Sequence, residues 1–108
     1  MEVVITEKCK KIVGKLARKY VSISKDLEKL IDSLEKEPFQ GDKLGKNCYK
    51  VRMAISSKGY GKSYGARVIT CVKIVNETVF LLTIYDKSER KYISDKELDE
   101  LLLEAELK

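Results

Sequence analysis

The spacing of apolar residues predicts a short strand and then two helices at the start of the chain. The run Glu2–Thr6 has the β-branched composition of a strand. From Glu7 onward, apolar residues recur at helical spacing, at Ile12, Val13, Leu16, Ala17 and Tyr20. A second helical stripe follows Ser24, a predicted N-cap, and comprises Leu27, Leu30, Ile31 and Leu34. Pro38 ends it, and the short link between the helices predicts an antiparallel hairpin on one face of a sheet.

Strict alternation over Cys48–Ile55 predicts a strand with two different faces. One face carries the apolar residues Tyr49, Val51, Met53 and Ile55, and the other carries Lys50, Arg52 and Ala54. Two longer β-branched runs, Ala66–Val75 and Thr78–Tyr85, follow this strand, and Asn76-Glu77 between them is typical of a hairpin turn. The predicted sheet therefore has an apolar face and a face with exposed cations.

The last element has the clearest start signal of the chain. Ser94 and Glu97 have the spacing of a capping box, and Ile93 and Leu98 can form a hydrophobic staple. The buried stripe of this helix is predicted to be Leu98, Leu101, Leu102 and Ala105. The element order predicts an α+β fold, with an N-terminal helical hairpin packed on a mostly antiparallel sheet of about four strands and one C-terminal helix. The 108 residues fit a single domain spanning 1–108.

Composition excludes several classes of protein. The three cysteines form no CxxC pair and the chain has no histidine, which predicts neither a disulfide framework nor a metal site, and no cofactor is expected. No apolar run approaches the roughly 18 residues of a membrane span, and no signal peptide is evident. We therefore expect a cytoplasmic protein with reduced, buried thiols.

Positive charge is concentrated in one quarter of the chain. Residues 41–67 carry seven cations against a single acidic residue, Asp42, while the rest of the chain is nearly neutral. The segment also contains SKGYGKSYGARV, residues 57–68, which lacks any acidic residue. This stretch does not match the P-loop pattern, because Ser56 stands just before it where that pattern requires a glycine. It does not match the dinucleotide-binding fingerprint either, because Tyr64 stands where that pattern requires a glycine. The segment predicts a polyanion site of another kind.

The stretch LGKNCYKVRMAISSKGYGKSYGARVI (44–69), followed by VFLLTIYDKSERKYISDKELDELL (79–102), resembles the RelE/HigB-like toxins of bacterial type II toxin–antitoxin systems. Three motifs carry the resemblance, in this order: Lys50-x-Arg52, Gly65-Ala66-Arg67-Val68-Ile69 and Tyr85-x-Lys87-x-Glu89. The resemblance implies a RelE-like fold and an endoribonuclease, or mRNA interferase, that cuts messenger RNA, commonly on the ribosome. It also implies silencing by a cognate antitoxin, such as a small helix-turn-helix protein.

Two departures from the family pattern bear on mechanism. Tyr64 stands where a second glycine is expected before Gly65. Relatives vary in which histidine, tyrosine or acidic side chains complete the site, and this chain has no histidine, so acid–base roles do not transfer simply from them.

Metal-independent RNA cleavage needs cations arranged around the phosphate and groups that move protons. Arg52 and Arg67 are predicted to hold the phosphate, and one of Lys50, Lys62 and Lys87 to transfer a proton. Tyr85 is predicted to orient the 2′-hydroxyl or to stack on a base. The predicted catalytic set is Arg52, Arg67, Tyr85, Lys87 and Lys50, and the predicted RNA-binding set is Lys46, Lys58, Lys62 and Tyr64.

Simpler interpretations of the same residues stay open at this point. The basic segment is also consistent with a solvated surface, the glycines with a mobile connection, and Tyr85 with a core tyrosine. Arg67 can pair with Asp86 or Glu89 across the hairpin. At the level of function, the alternatives are a ParE-like inhibitor of DNA gyrase that does not cut RNA, and a non-catalytic nucleic-acid-binding module.

Overall fold

A computed structural model describes all 108 residues and contains three helices and five strands. The elements, in chain order, are β1 (Glu2–Ile5), α1 (Glu7–Lys19), α2 (Ile23–Lys36), β2 (Asp42–Gly45), β3 (Cys48–Met53), β4 (Ala66–Lys73), β5 (Thr78–Asp86) and α3 (Asp95–Glu104). The strands form one sheet in the order β1-β5-β4-β3-β2. β1 runs parallel to β5, and every other pair is antiparallel. No helix has the length and apolar content needed to cross a bilayer.

The predicted α+β fold, with its helical hairpin, mostly antiparallel sheet and C-terminal helix, is confirmed. The sheet has five strands rather than about four, because the sequence pattern does not predict the edge strand β2. β2 is four residues long and has a single apolar residue, Leu44, so no alternation is visible. It is nevertheless held by pairing with β3, which supplies the hydrogen bonds that its own sequence does not predict.

The helix starts follow local capping chemistry with one exception. Ser94 caps α3 by accepting a hydrogen bond from the Glu97 backbone N–H at 3.1 Å, as predicted. The N-cap of α2 is Ser22 and not the predicted Ser24. The Ser22 hydroxyl makes no capping bond, and instead donates to Asp26 at 2.8 Å and accepts from the Ser57 backbone N–H at 2.9 Å. A tertiary contact has therefore set this boundary.

Two separate apolar cores lie on the two faces of the sheet. The larger core packs α1 and α2 against the face predicted to be apolar, where Val51, Met53 and Ile55 are buried. The smaller core packs α3 against the opposite face. Its members on the sheet are Cys48, Ile69, Cys71, Leu82 and Tyr85. Because Arg52 on that same face stays exposed, α3 leaves one end of β3 uncovered.

Gly65 is required where the glycine-rich segment enters β4. A Cβ atom there would lie 2.1 Å from the Met53 carbonyl oxygen, whereas a Cβ on Gly14, which is exposed on α1, would meet nothing within 4 Å. We expect Gly65→Ala to lower the free energy of unfolding by about 1–3 kcal/mol, because the backbone must move. Gly14→Ala is expected to raise it by about 0.5–1 kcal/mol. Urea unfolding of both variants measures these changes, and an unaffected Gly65→Ala would contradict the packing described.

Candidate nucleic-acid interface

Arg52, Arg67 and Tyr85 form one row across β3, β4 and β5, because Arg52 pairs with Arg67 and Arg67 pairs with Tyr85. The Val72 N–H donates to the Asn47 carbonyl at 2.9 Å, and from there the pairing of β3 with β4 is unbroken. Counting along this ladder places the two arginines in a non-hydrogen-bonded pair, where Cα atoms are about 4.5 Å apart. Like charges opposite each other destabilise a sheet, so this pair is unfavourable for folding.

A shallow pocket of about 240 Å³ opens beside this row on the face that α3 leaves uncovered. Its lining is almost entirely cationic and consists of Lys50, Arg52, Arg67, Lys87, Lys91, Tyr92 and Asp42. None of these five cations makes a salt bridge to a carboxylate, although six other lysines and Arg90 do. We call this site the cationic pocket. Its uncompensated charge is suited to a polyanion such as a nucleic-acid backbone.

Arg67 is buried at the base of the cationic pocket, with 4 % of its surface exposed. Its guanidinium donates to the backbone carbonyls of Lys62 at 3.0 Å and Ala66 at 3.1 Å. Burial lowers its pKa, and the charge of Arg52 lowers it further. The predicted alternative, an ion pair with Asp86 or Glu89, does not form. The side chain is held by neutral groups and keeps its positive charge available to a ligand.

Lys87 follows β5 and lines the same pocket. Its pKa is lowered, first by desolvation and then by the surrounding cations, of which Arg67 and Arg52 contribute most. The ammonium nitrogen lies 5.8 Å from the centre of the Tyr64 ring. Lys50 makes a similar contact on the other side of the pocket, with its nitrogen 5.7 Å from the Tyr92 ring centre.

Tyr85 lies beneath the pocket and does not line it. Its ring is buried in the smaller core, and its hydroxyl donates to the Lys91 backbone carbonyl at 3.3 Å. The Arg90 guanidinium lies 4.8 Å from the ring centre, and burial raises the pKa of the hydroxyl. Tyr85 thus holds the segment that carries Lys91 and Tyr92, so the interpretation as a core tyrosine describes its position better.

Two buried aspartates fasten the glycine-rich loop, residues 56–65, to the rest of the fold. Asp26 in α2 accepts from the Ser56 backbone N–H at 2.8 Å and from the Ser22 hydroxyl at 2.8 Å. Burial tends to raise the pKa of Asp26, but the hydrogen bonds from Ser56 and Ser22 outweigh this effect and lower it. The first turn of the loop is therefore bonded to α2, and the loop is not merely a mobile connection.

Asp86 is the second anchor, at the end of β5. Its carboxylate accepts from the Lys58 ammonium at 2.7 Å, from the Tyr20 hydroxyl and from the Ser88 backbone N–H at 2.9 Å. Burial favours the neutral acid, but the bonds from Lys58, Tyr20 and Ser88 prevail and hold the pKa of Asp86 well below its usual range. The Lys58 charge is neutralised by this contact. Lys58 therefore anchors the loop and does not line the cationic pocket.

The remaining predicted residues, Lys62, Tyr64 and Lys46, lie in two places. Lys62 and Tyr64 are exposed in the loop, and Lys62 borders a depression that also includes Arg52. Lys46 lies at the turn between β2 and β3 and pairs with Asp99 of α3, away from the cationic pocket. Of the nine predicted site residues, the structure brings Lys50, Arg52, Arg67 and Lys87 together in one pocket.

The sequence patterns do not predict two of the pocket residues, Lys91 and Tyr92. They follow β5 in an irregular segment, where no periodicity indicates which way a side chain points. The available signal was compositional, since an aromatic residue among cations is typical of nucleic-acid contacts. No group of three or more Cys, Asp or Glu side chains is arranged to hold a metal ion.

Comparison with known proteins identifies the class of this fold. The family model described as the RelE toxin of the RelE/RelB toxin–antitoxin system matches residues 7–107. Among solved structures, a mutant of the E. coli toxin RelE in its free state matches with a TM-score of 0.62. In that mutant, two arginines are replaced by alanine. That match has 16 % sequence identity and covers 94 % of each chain, so it supports the fold. A search of curated proteins gave no match.

The fold and the family model together define a toxin of a toxin–antitoxin system. More particularly, the chain belongs to the RelE toxin family.

Asp86→Asn tests the second loop anchor. We expect the free energy of unfolding to fall by about 3 kcal/mol, because the buried Lys58 charge loses its partner. The folded pKa of Asp86 lies below the unfolded value of about 3.9, so its contribution to stability is present above that pH and is lost as pH falls toward the folded pKa. Urea unfolding at several pH values between about 3 and 7 measures both effects, and the variant should show a smaller acid loss.

Asp99→Asn is the matched control, since it removes a partly exposed carboxylate that pairs with the surface cations Lys46 and Lys108. It should change stability little, because exposed pairs contribute little. Equal destabilisation of the two variants, or equal acid sensitivity of Asp86→Asn and wild type, would contradict the anchoring role of Asp86.

Proposed function

We propose that this chain is a metal-independent endoribonuclease that cuts messenger RNA on the ribosome. The observation that carries the proposal is the cationic pocket, in which five cations converge without a carboxylate partner. A sheet with Arg52 opposite Arg67 is unfavourable unless a ligand supplies negative charge. A backbone phosphate of RNA supplies that charge and fits the bidentate geometry of a guanidinium.

The proposed reaction is attack of a 2′-hydroxyl oxygen on the adjacent phosphorus. The bond from phosphorus to the 2′-oxygen forms as the bond to the leaving 5′-oxygen breaks, and the 5′-oxygen takes up a proton from solvent. The products are a 2′,3′-cyclic phosphate and a 5′-hydroxyl. Arg52 and Arg67 stabilise the negative charge that develops on the phosphate oxygens, because their donors are already in place before the reaction. Lys50 and Lys91 add to the same field from the sides of the pocket.

Lys87 is the group that we propose transfers the proton. Desolvation and, after it, the neighbouring cations lower the pKa of Lys87, which increases the fraction of neutral amine able to accept the 2′-hydroxyl proton. Tyr85 acts as a positioning residue through its bond to Lys91, and Tyr92, which is 76 % exposed, is the aromatic ring available to a base.

Membership in the RelE family implies a cognate RelB-type antitoxin as partner. We propose that this antitoxin suppresses activity by covering the cationic pocket, because acidic side chains would satisfy the unpaired cations there. The resemblance to HigB-like toxins leads us to expect an antitoxin of the helix-turn-helix type. A neighbouring reading frame that encodes a small DNA-binding protein would support it.

Arg52→Ala tests the phosphate-binding role. Arg52 is exposed, so its removal should leave the fold intact while the rate of a single turnover falls by about 10²- to 10³-fold. Lys46→Ala is the matched control, because it removes a cation outside the cationic pocket, and we expect cleavage near the wild-type rate. Cleavage of ribosome-bound message is followed by primer extension. An Arg52→Ala variant that cuts at the wild-type rate would overturn the assignment.

The pH dependence of cleavage tests Lys87. If the neutral amine accepts the proton, the rate rises with pH through the lowered pKa of Lys87. Lys91→Gln removes one repelling cation, so the pKa of Lys87 should rise. The rising limb of the curve of cleavage rate against pH should then move to higher pH. Lys46→Gln should leave the limb unmoved. A limb at the same pH in wild type and Lys91→Gln would show that Lys87 is not the titrating group.

Brief induction in cells separates the proposal from its alternatives. Discrete cuts in messages support the nuclease, whereas intact messages with DNA damage would indicate gyrase inhibition. Intact messages and intact DNA, together with salt-sensitive RNA binding, would indicate a non-catalytic binding module.

A further inference from the structure

A second groove, of about 770 Å³, opens between the end of α1 and the glycine-rich loop. We call it the tyrosine groove. Its main contacts come from Tyr20, Tyr60, Tyr64 and Val21, with Arg18 and Lys19 at its edge, and no acidic residue is part of its lining. Lys19 pairs with Glu89 at 3.2 Å, which leaves Arg18 as the cation at that edge without a carboxylate partner.

The aromatic rings of the tyrosine groove are exposed. Tyr60 is 70 % exposed and Tyr64 is 62 % exposed, and their ring centres lie 5.7 Å apart in an edge-to-face arrangement. Val21 beside them is 90 % exposed. No element of the fold covers these side chains, so their apolar surface is available to a ligand.

Tyr64 joins the tyrosine groove to the cationic pocket. Its ring lines the groove, and the Lys87 ammonium of the pocket lies 5.8 Å from the centre of the same ring. A strand whose phosphate is bound beside Lys87 therefore has its neighbouring nucleotides next to Tyr64. The loop that carries these rings is already fastened through Lys58 and Ser56, so little ordering is required when a ligand binds.

We propose that the tyrosine groove binds unpaired bases of the RNA strand whose backbone phosphate occupies the cationic pocket. This inference rests on the proposed function. Flat bases stack on tyrosine rings without regard to sequence, and the cation at the edge of the groove favours a polyanion. Continuity with the phosphate pocket through Tyr64 favours RNA over a protein segment as the occupant.

The test measures cleavage kinetics of the double variant Tyr60→Leu/Tyr64→Leu on whichever message, free or ribosome-bound, the wild-type chain cuts. Loss of stacking should raise KM roughly 10-fold or more while kcat changes less, because the groove lies outside the reacting atoms. Phe39→Leu is the matched control, since it removes a half-exposed ring that packs on Tyr49 and does not line the tyrosine groove. It should leave KM unchanged.

Abasic substitutions in the message identify the stacked base. An abasic nucleotide next to the cleaved bond should raise KM for wild type, and should add no further increase in the double variant if the rings and that base contact each other. Increases that simply add at every position would overturn the proposal, as would an unchanged KM in the double variant.

The outcomes separate failure of the groove from failure of the nuclease. A wild-type chain that cuts no message overturns the proposed function and this inference with it. A wild-type chain that cuts, together with a double variant that cuts equally well but no longer binds the cognate antitoxin, overturns only the inference and assigns the groove to the antitoxin.

Discussion

The ion pair between Asp86 and Lys58 is the contact on which the site depends. It joins the glycine-rich loop to the end of β5, inside the protein, where an uncompensated charge is costly. The loop in turn provides the Lys62 carbonyl that holds the Arg67 guanidinium. The same loop carries Tyr60 and Tyr64. Together with the bonds between Asp26 and Ser56, this buried pair orders both the cation at the base of the pocket and the rings beside it.

The cationic pocket has an unfavourable effect on folding. Arg52 and Arg67 oppose each other on adjacent strands, and Lys50 and Lys87 add to the repulsion. The two apolar cores supply the stability that offsets it, and α3 covers only the apolar part of its face. Tolerance of such repulsion is common at functional sites, where side chains are arranged for a ligand and not for the free protein.

The buried position of Tyr85 means that Tyr92, and not Tyr85, is the exposed aromatic ring at the cationic pocket. A tyrosine at the end of a strand pairs by register with Arg67, yet its ring enters the smaller core and its hydroxyl contacts the Lys91 backbone. Tyr92, seven residues later, is the exposed ring at the pocket. A catalytic tyrosine that is inferred from a sequence motif alone can therefore be a support for the residue that faces the ligand.

Local patterns in the sequence were sufficient to predict most of the fold. β-branched runs, helical stripes, a β-hairpin turn and the Ser94 cap specify β1, α1, α2, β3–β5 and α3, because these signals depend on residues close together in the chain. Alternation along β3 also predicts that Lys50 and Arg52 share a face. The edge strand β2 was missed, because its order comes from hydrogen bonds to β3 and not from its own residues.

Partners distant in sequence decided the rest of the site. Lys46 and Lys58 belong to the same basic segment as Arg52, yet both are neutralised, by Asp99 and Asp86. Nothing local distinguishes a lysine that meets an aspartate from one that does not, since each pair joins segments at least 28 residues apart. The sequence by itself determined which elements form, apart from the edge strand β2, and which face of β3 is cationic. Only the tertiary structure decided which of those cations remain free to bind a ligand, because burial and charge pairing depend on the packing of the whole chain.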